Sequence, residues 1–151
     1  MYKLLKSSVL TALLLFVLCI PAGAATVKEV QQAIIKESVA MGVEPAIMLS
    51  IAKTESGFRQ EARGGHNVGV FQLHPATARR MGYDVFKLEE NIKAGIAYYK
   101  AMYNMFGSME LAVAAYNVGP GMLKRCNNTV PNSARPFVAR IMKDYQYYKT
   151  N

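Results

Sequence analysis

Tryptophan is absent from the 151 residues, cysteine occurs twice, and Asp and Glu number 10 against 18 Lys and Arg. Each scarcity excludes something. Two cysteines rule out a disulfide-dense scaffold and any four-cysteine zinc site. The acid deficit leaves a formal net charge of +8, which points to an acidic partner such as nucleic acid, an anionic membrane or a cell-wall polymer. No stretch alternates apolar and polar residues for long enough to read as a secure strand. There is no internal repeat and no low-complexity linker. What remains is a chain with 52% hydrophobic and 19% charged residues, long enough for one domain with its own core.

The one long apolar run lies at the start. Lys3 and Lys6 precede a run from Val9 to Ile20, Pro21 breaks it, and Ala22-Gly23-Ala24 supplies small residues suited to a signal peptidase. This is the layout of a secretory signal peptide over residues 1–24, with residues 25–151 as the mature domain. Twelve apolar residues are too few to cross a bilayer comfortably, so no stable membrane insertion is expected after cleavage. Loss of Lys3 and Lys6 takes the charge from +8 to +6, and loss of Cys19 leaves Cys126 as the only thiol. Cys126 then reads as a half-buried small apolar residue. Export to the periplasm or the extracellular space is expected, which removes the chain from nucleic acid. The scattered basic residues agree.

Helical periodicity runs through the rest. Val30, Ala33, Ile34 and Met41 recur at helical spacing before Gly42, and Pro45 opens a second helix that Gly57 closes. A short helix should follow Pro75 and end at Gly82. Asn91 reads as the N-cap of a longer helix to Phe106, with Ile92, Ile96, Tyr99 and Tyr103 on one face. Another helix covers Met109 to Tyr116 and ends in a turn over 117–121. The last starts at Pro136 and carries Phe137, Ile141, Tyr145 and Tyr148. The loop from Phe58 to Gln72 has room for a minimal β-ribbon. The expectation is a mostly α single domain.

One carboxylate sits oddly. Met48, Ile51 and Ala52 lie seven, four and three residues before Glu55, at the end of the apolar stripe of the second helix. Poor hydration there would raise its pKa, and a raised carboxyl pKa suits a general acid near neutral pH. The plain alternative is a last exposed turn, or an ion pair with Arg59. Glu55-Ser56-Gly57-Phe58 is followed by Gly69-Val70-Phe71-Gln72-Leu73-His74-Pro75, then Asn91 with Ala94-Gly95-Ile96-Ala97-Tyr98-Tyr99, then Ala114-Ala115-Tyr116-Asn117-Val118-Gly119.

This series resembles the soluble lytic transglycosylase catalytic domain, a relative of goose-type lysozyme, from about Val30 to the last helix. The resemblance implies a lysozyme-like helical fold acting on peptidoglycan glycan strands. It implies Glu55 as the catalytic acid, with Ser56 beside it. Gly69, Phe71, Gln72 and His74 would line the sugar groove, and Tyr116 and Asn117 would flank the acid. The Tyr116 hydroxyl can bond a carboxyl group and fix its rotamer, and Gln72 can donate to and accept from sugar hydroxyls and acetamides. Some positions depart from the family. Val70-Phe71 replaces a common Leu-Met, His74 replaces a common Met, Gly64 or Gly65 stands near a common Ser, and Ser133 stands where many members have Glu.

The implied reaction cuts the bond between N-acetylmuramic acid and N-acetylglucosamine and leaves a 1,6-anhydromuramyl end. Glu55 would act first as acid and then as base, so no second carboxylate, metal or cofactor is expected. Glu44 and Glu61 are nearest in sequence and look solvent-facing. His66 and His74 are eight residues apart on a loop, without metal-ligand spacing. The alternatives are a hydrolytic goose-type lysozyme and a non-catalytic wall-binding protein. A monomer is expected, and its small size suits a wall-opening role beside a secretion or pilus machine.

Overall fold

The computed structural model describes residues 23–151, so all but the last two positions of the expected export signal lie outside the described residues. Among the described residues seven helices follow one another: α1 (Val27–Ala40), α2 (Pro45–Ser56), α3 (Pro75–Arg80), α4 (Leu88–Phe106), α5 (Met109–Val118), α6 (Pro120–Arg125) and α7 (Arg135–Thr150). Between α2 and α3 lies an antiparallel ribbon of β1 (Arg63–Gly64) and β2 (Asn67–Val68), with Arg63 opposite Val68. The ribbon falls within the loop where it was expected.

α2 forms the centre. Every residue from Ala46 to Ala52 is buried, because α1 and α7 both pack on it. This is more burial than a single apolar stripe provides, and Ser50 is part of it. Its hydroxyl donates to the Ala46 carbonyl at 2.7 Å, which satisfies a polar group inside the core. Pro45 sets the first turn, and Gly57 closes the helix with a left-handed φ of 62°. α1 is fixed at its start by a capping box, with Thr26 and Glu29 bonding each other's backbone N–H.

Three features differ from the sequence reading. α4 begins three residues before Asn91, with Lys87 as its N-cap. No side chain caps its first turn; Glu90 instead accepts from the Asp84 N–H at 2.7 Å and pairs with the Lys87 ammonium at 3.0 Å, which ties down the loop before the helix. Asn91 is therefore inside the helix and fully buried. Next, α5 runs on to Val118, and the Gly119-Pro120-Gly121 segment opens α6 instead of continuing a turn. Gly119 at φ 82° breaks the path, Pro120 starts the new helix, and buried Leu123 anchors it. Finally, the buried stripe of α7 is Val138, Ile141 and Tyr145, with Phe137 and Tyr148 only partly covered.

Candidate active site

Glu55 occupies the last turn of α2, where the helix leaves the core. Its carboxyl group is pushed up to about 7 by the loss of hydration alone. Among the described residues it forms no ion pair. The expected alternative partner, Arg59, donates instead to the Ser56 carbonyl at 2.9 Å. Glu55 opens into a groove of about 310 Å³ that is also lined by Asn67, Gln72, Leu73, His74, Thr77, Tyr98, Tyr116, Asn117, Val118 and Gly119. A second hollow of about 320 Å³, walled by Glu44, Ile47, Tyr99 and Tyr103, shares none of these residues.

The groove wall is a tight turn from Val68 to Leu73, and three helices hold it. From α2, the buried Ser56 hydroxyl donates to the Val70 carbonyl at 2.8 Å and accepts from the Arg59 N–H at 3.2 Å. From α4, Asn91 Oδ1 accepts from the Phe71 N–H at 3.0 Å, while Nδ2 donates to the Val68 and Val85 carbonyls at 2.9 and 3.0 Å. From α5, the Tyr116 hydroxyl donates to the Phe71 carbonyl at 2.9 Å. One peptide unit on each side of Phe71 is thus gripped by a buried side chain.

Gln72 follows with a left-handed φ of 45°, a conformation that costs a non-glycine residue about 1 kcal/mol or more. Its own amide offsets that cost. Nε2 donates to the Ala62 carbonyl at 3.1 Å and the Gly69 carbonyl at 2.8 Å. Both amide protons are consumed in the turn, so Oε1 alone is left to meet a ligand.

Several expected contact residues therefore sit behind the groove. The Phe71 ring is completely buried and packs on Gly95, where any Cβ would collide with it. Gly69 is also buried. A Cβ there would strike Asn91, and its φ of 81° disfavours other residues. Ser56 is a turn anchor, and the Tyr116 hydroxyl is spent on a backbone carbonyl instead of fixing a carboxyl rotamer. Burial still holds the Tyr116 phenol far above its ordinary pKa, and the neighbouring Glu55 charge adds to this. Gln72, His74, Tyr116 and Asn117 remain on the groove with Glu55.

Two residues were missed. Asn91 is a buried tie and not a cap. Tyr98 lines the groove and packs edge-on against Tyr116 at 5.1 Å between ring centroids. Its position was open to the eye, since Asn91, Gly95 and Tyr98 share one face of α4. Cys126 is partly buried and free. Among the described residues no cluster of His, Cys, Asp and Glu could hold a metal ion.

The family described as the Transglycosylase SLT domain matches residues 32–136. The chain belongs to that family. It is 31% identical over 100 residues to membrane-bound lytic murein transglycosylase F of Desulfosudis oleivorans, covering 60% of this chain and 22% of that protein. Among solved structures it is similar to lytic transglycosylase Slt of Pseudomonas aeruginosa, with TM-score 0.69 and 24% identity over 80% of this chain and 24% of the other. It is also similar to the 70 kDa soluble lytic transglycosylase of Escherichia coli, with TM-score 0.71 and 23% identity over 79% and 24%. At these identities the two structures show the fold, which is the lysozyme-like helical one. The chain spans less than a quarter of the length of each of these relatives.

Proposed function

We propose that the chain cleaves peptidoglycan as a lytic transglycosylase, breaking the bond between N-acetylmuramic acid and N-acetylglucosamine without water. The observation that carries this reading is Glu55. It is a carboxyl group held near neutrality by burial, and the only acid on the groove among the described residues. Conventional glycosidases work with two carboxyl groups. Here Glu44 and Glu61 are exposed, and Glu44 accepts a hydrogen bond from Tyr145 at 2.8 Å. A lone carboxyl group suffices when the substrate supplies its own nucleophile.

Glu55 first gives its proton to the glycosidic oxygen as the anomeric C–O bond breaks, with the muramic acetamide stabilising the oxocarbenium-like carbon. The carboxylate then takes the proton of the substrate's 6-hydroxyl, whose oxygen bonds the anomeric carbon. A 1,6-anhydromuramyl end results, and Glu55 is again protonated. Gln72 Oε1, His74 and Asn117 contact the sugars, while Ser56, Gly69, Phe71 and Tyr116 hold the wall in place. The names of the relatives support this reading, and an inactive form of the Pseudomonas protein carries a glutamate-to-glutamine change.

The site of action is extracytoplasmic, where peptidoglycan lies. Residues 1–24 serve as the export signal and 25–151 as one catalytic domain, released to the periplasm or beyond. No helix of the described residues is long and apolar enough to cross a membrane. A monomer beside a secretion or pilus machine suits a wall-opening task.

Glu55→Gln tests the assignment, because the amide preserves shape and cannot protonate a leaving oxygen. General acid–base help contributes about 10²–10⁴-fold, and Glu55 serves twice in each turnover, so a loss of roughly 10³-fold or more is expected. The variant should still fold and bind sacculi. A folded variant that clears sacculi at near the wild-type rate contradicts the assignment.

A further inference from the structure

The hollow walled by Glu44, Ile47, Tyr99 and Tyr103 lies at the other end of α2 from the catalytic groove. Glu44 is the N-cap of that helix and Glu55 sits in its last turn, so about 16 Å of helix separates their backbones. The hollow's volume of about 320 Å³ falls within the range of small-molecule sites, about 300–1,000 Å³. Tyr99 and Ile47 are its buried residues, and the exposed Tyr103 forms one side. The two tyrosine rings stand 6.3 Å apart between centroids.

The polar groups here are held in place but only partly used. Lys149 donates to the Tyr145 hydroxyl at 3.2 Å, and that hydroxyl donates to Glu44 Oε2 at 2.8 Å. Glu44 is thereby fixed through one oxygen, and Oε1 is open as an acceptor. Lys100 is tied to the Met41 carbonyl at 2.6 Å. Tyr99 is only 4% exposed, yet among the described residues its hydroxyl has no hydrogen-bond partner. Burial holds this phenol well above its ordinary pKa, and the neighbouring Tyr103, Glu44 and Tyr145 add to the effect, so the hydroxyl keeps its proton. A buried O–H with no partner in the protein calls for one from outside.

These groups fit a neutral, hydroxyl-rich ring. Lys100 and Lys149 balance the Glu44 carboxylate, so the hollow selects neither a cation nor an anion. Glu44 Oε1, the Tyr99 hydroxyl and the exposed Asn104 amide together accept from and donate to hydroxyl and acetamide groups. The Tyr103 ring offers an apolar surface to the C–H face of a pyranose.

We propose that this hollow is a second glycan site, which holds an N-acetylated sugar of a neighbouring peptidoglycan strand while the groove at Glu55 works on its own strand. The proposal rests on the peptidoglycan reading above. Occupation of the hollow anchors the protein to the wall without touching the catalytic groove.

The probe is chitotriose, a peptide-free chain of N-acetylglucosamine, titrated into the Glu55→Gln protein and followed through backbone amide shifts. Gly42 and Asn104 are expected to shift with one dissociation constant, separate from any shifts of Gln72 and Asn117 in the groove. Tyr99→Phe removes only the unpartnered hydroxyl. It should weaken binding at the hollow about fivefold and leave Tm unchanged or higher. Tyr103→Ala removes one side of the hollow and should weaken binding about tenfold. With Glu55 in place, both substitutions should slow the clearing of intact sacculi and leave kcat/KM on short soluble strands unchanged. Shifts confined to the groove, or variants that bind chitotriose as well as their parent does, overturn the proposal. A marked loss of Tm in Tyr99→Phe also overturns it, because the hydroxyl would then serve the fold. Those results leave the peptidoglycan reading standing as long as short strands are cleaved. Wild-type protein that cleaves neither sacculi nor soluble strands overturns that reading, and the second site falls with it.

Discussion

At Glu55 the loss of hydration has a signature in stability. The folded pKa lies near 7 against an ordinary value of 4.5. Between those values the native state holds a proton that the unfolded chain releases, so stability declines as pH climbs from about 4.5 through 7. The ionised form then costs about 3 kcal/mol. Glu55→Gln is neutral throughout. It should exceed the wild type in unfolding free energy by up to about 3 kcal/mol at pH 8 and match it near pH 4, as read from denaturant melts. Equal stability at both values would mean a well-hydrated carboxyl group. The position of Glu55 was legible because Met48, Ile51 and Ala52 share its face. Ser56, Gly69 and Phe71 were legible only as special positions. A sequence marks that a turn is constrained, but it does not say whether side chain or backbone meets the ligand, and here the Phe71 carbonyl and N–H are the gripped groups.

Elements meet at the turn from Val68 to Leu73, which joins α2, α4 and α5 through Ser56, Asn91 and Tyr116. Tyr116→Phe tests that junction. The ring and its packing against Tyr98 persist, but the Phe71 carbonyl loses its donor inside the protein. An unpaired buried carbonyl costs about 1–3 kcal/mol, so Tm should fall by several degrees, and turnover should fall with it as Gln72 shifts. A loss of turnover with Tm unchanged would instead point to direct contact between Tyr116 and Glu55. Helix existence was readable throughout this region, while helix boundaries were less so. Asn91 resembles a cap because Asn favours that position, yet the helix starts at Leu88 without a side-chain cap, and Asn91 lies on its buried face, bonded to the turn from Val68 to Leu73. α6 was hidden because a Gly-Pro-Gly segment signals a turn as strongly as it signals a helix start. Its one buried anchor, Leu123, leaves no periodic pattern.

For the whole molecule, the fold surrounds one helix so completely that its last turn delivers a poorly hydrated acid to a polar groove. The fold class and the order of the motifs were visible in advance, because buried helices need apolar residues at regular spacing. The two-residue strands were foreseen only as a possibility of loop length, since so short a ribbon carries no alternation. Net positive charge fits a substrate whose peptide stems are negative. Among the described residues Glu55 is the only acid on the groove, which fits transfer to the substrate's own hydroxyl, and the released ends separate that reaction from hydrolysis. The most direct measurement is mass analysis of muropeptides released from purified sacculi. The account predicts products one water lighter than their hydrolysed counterparts, with no reducing muramic end. Products with predominantly reducing ends would contradict it and make the protein a hydrolase on the same fold.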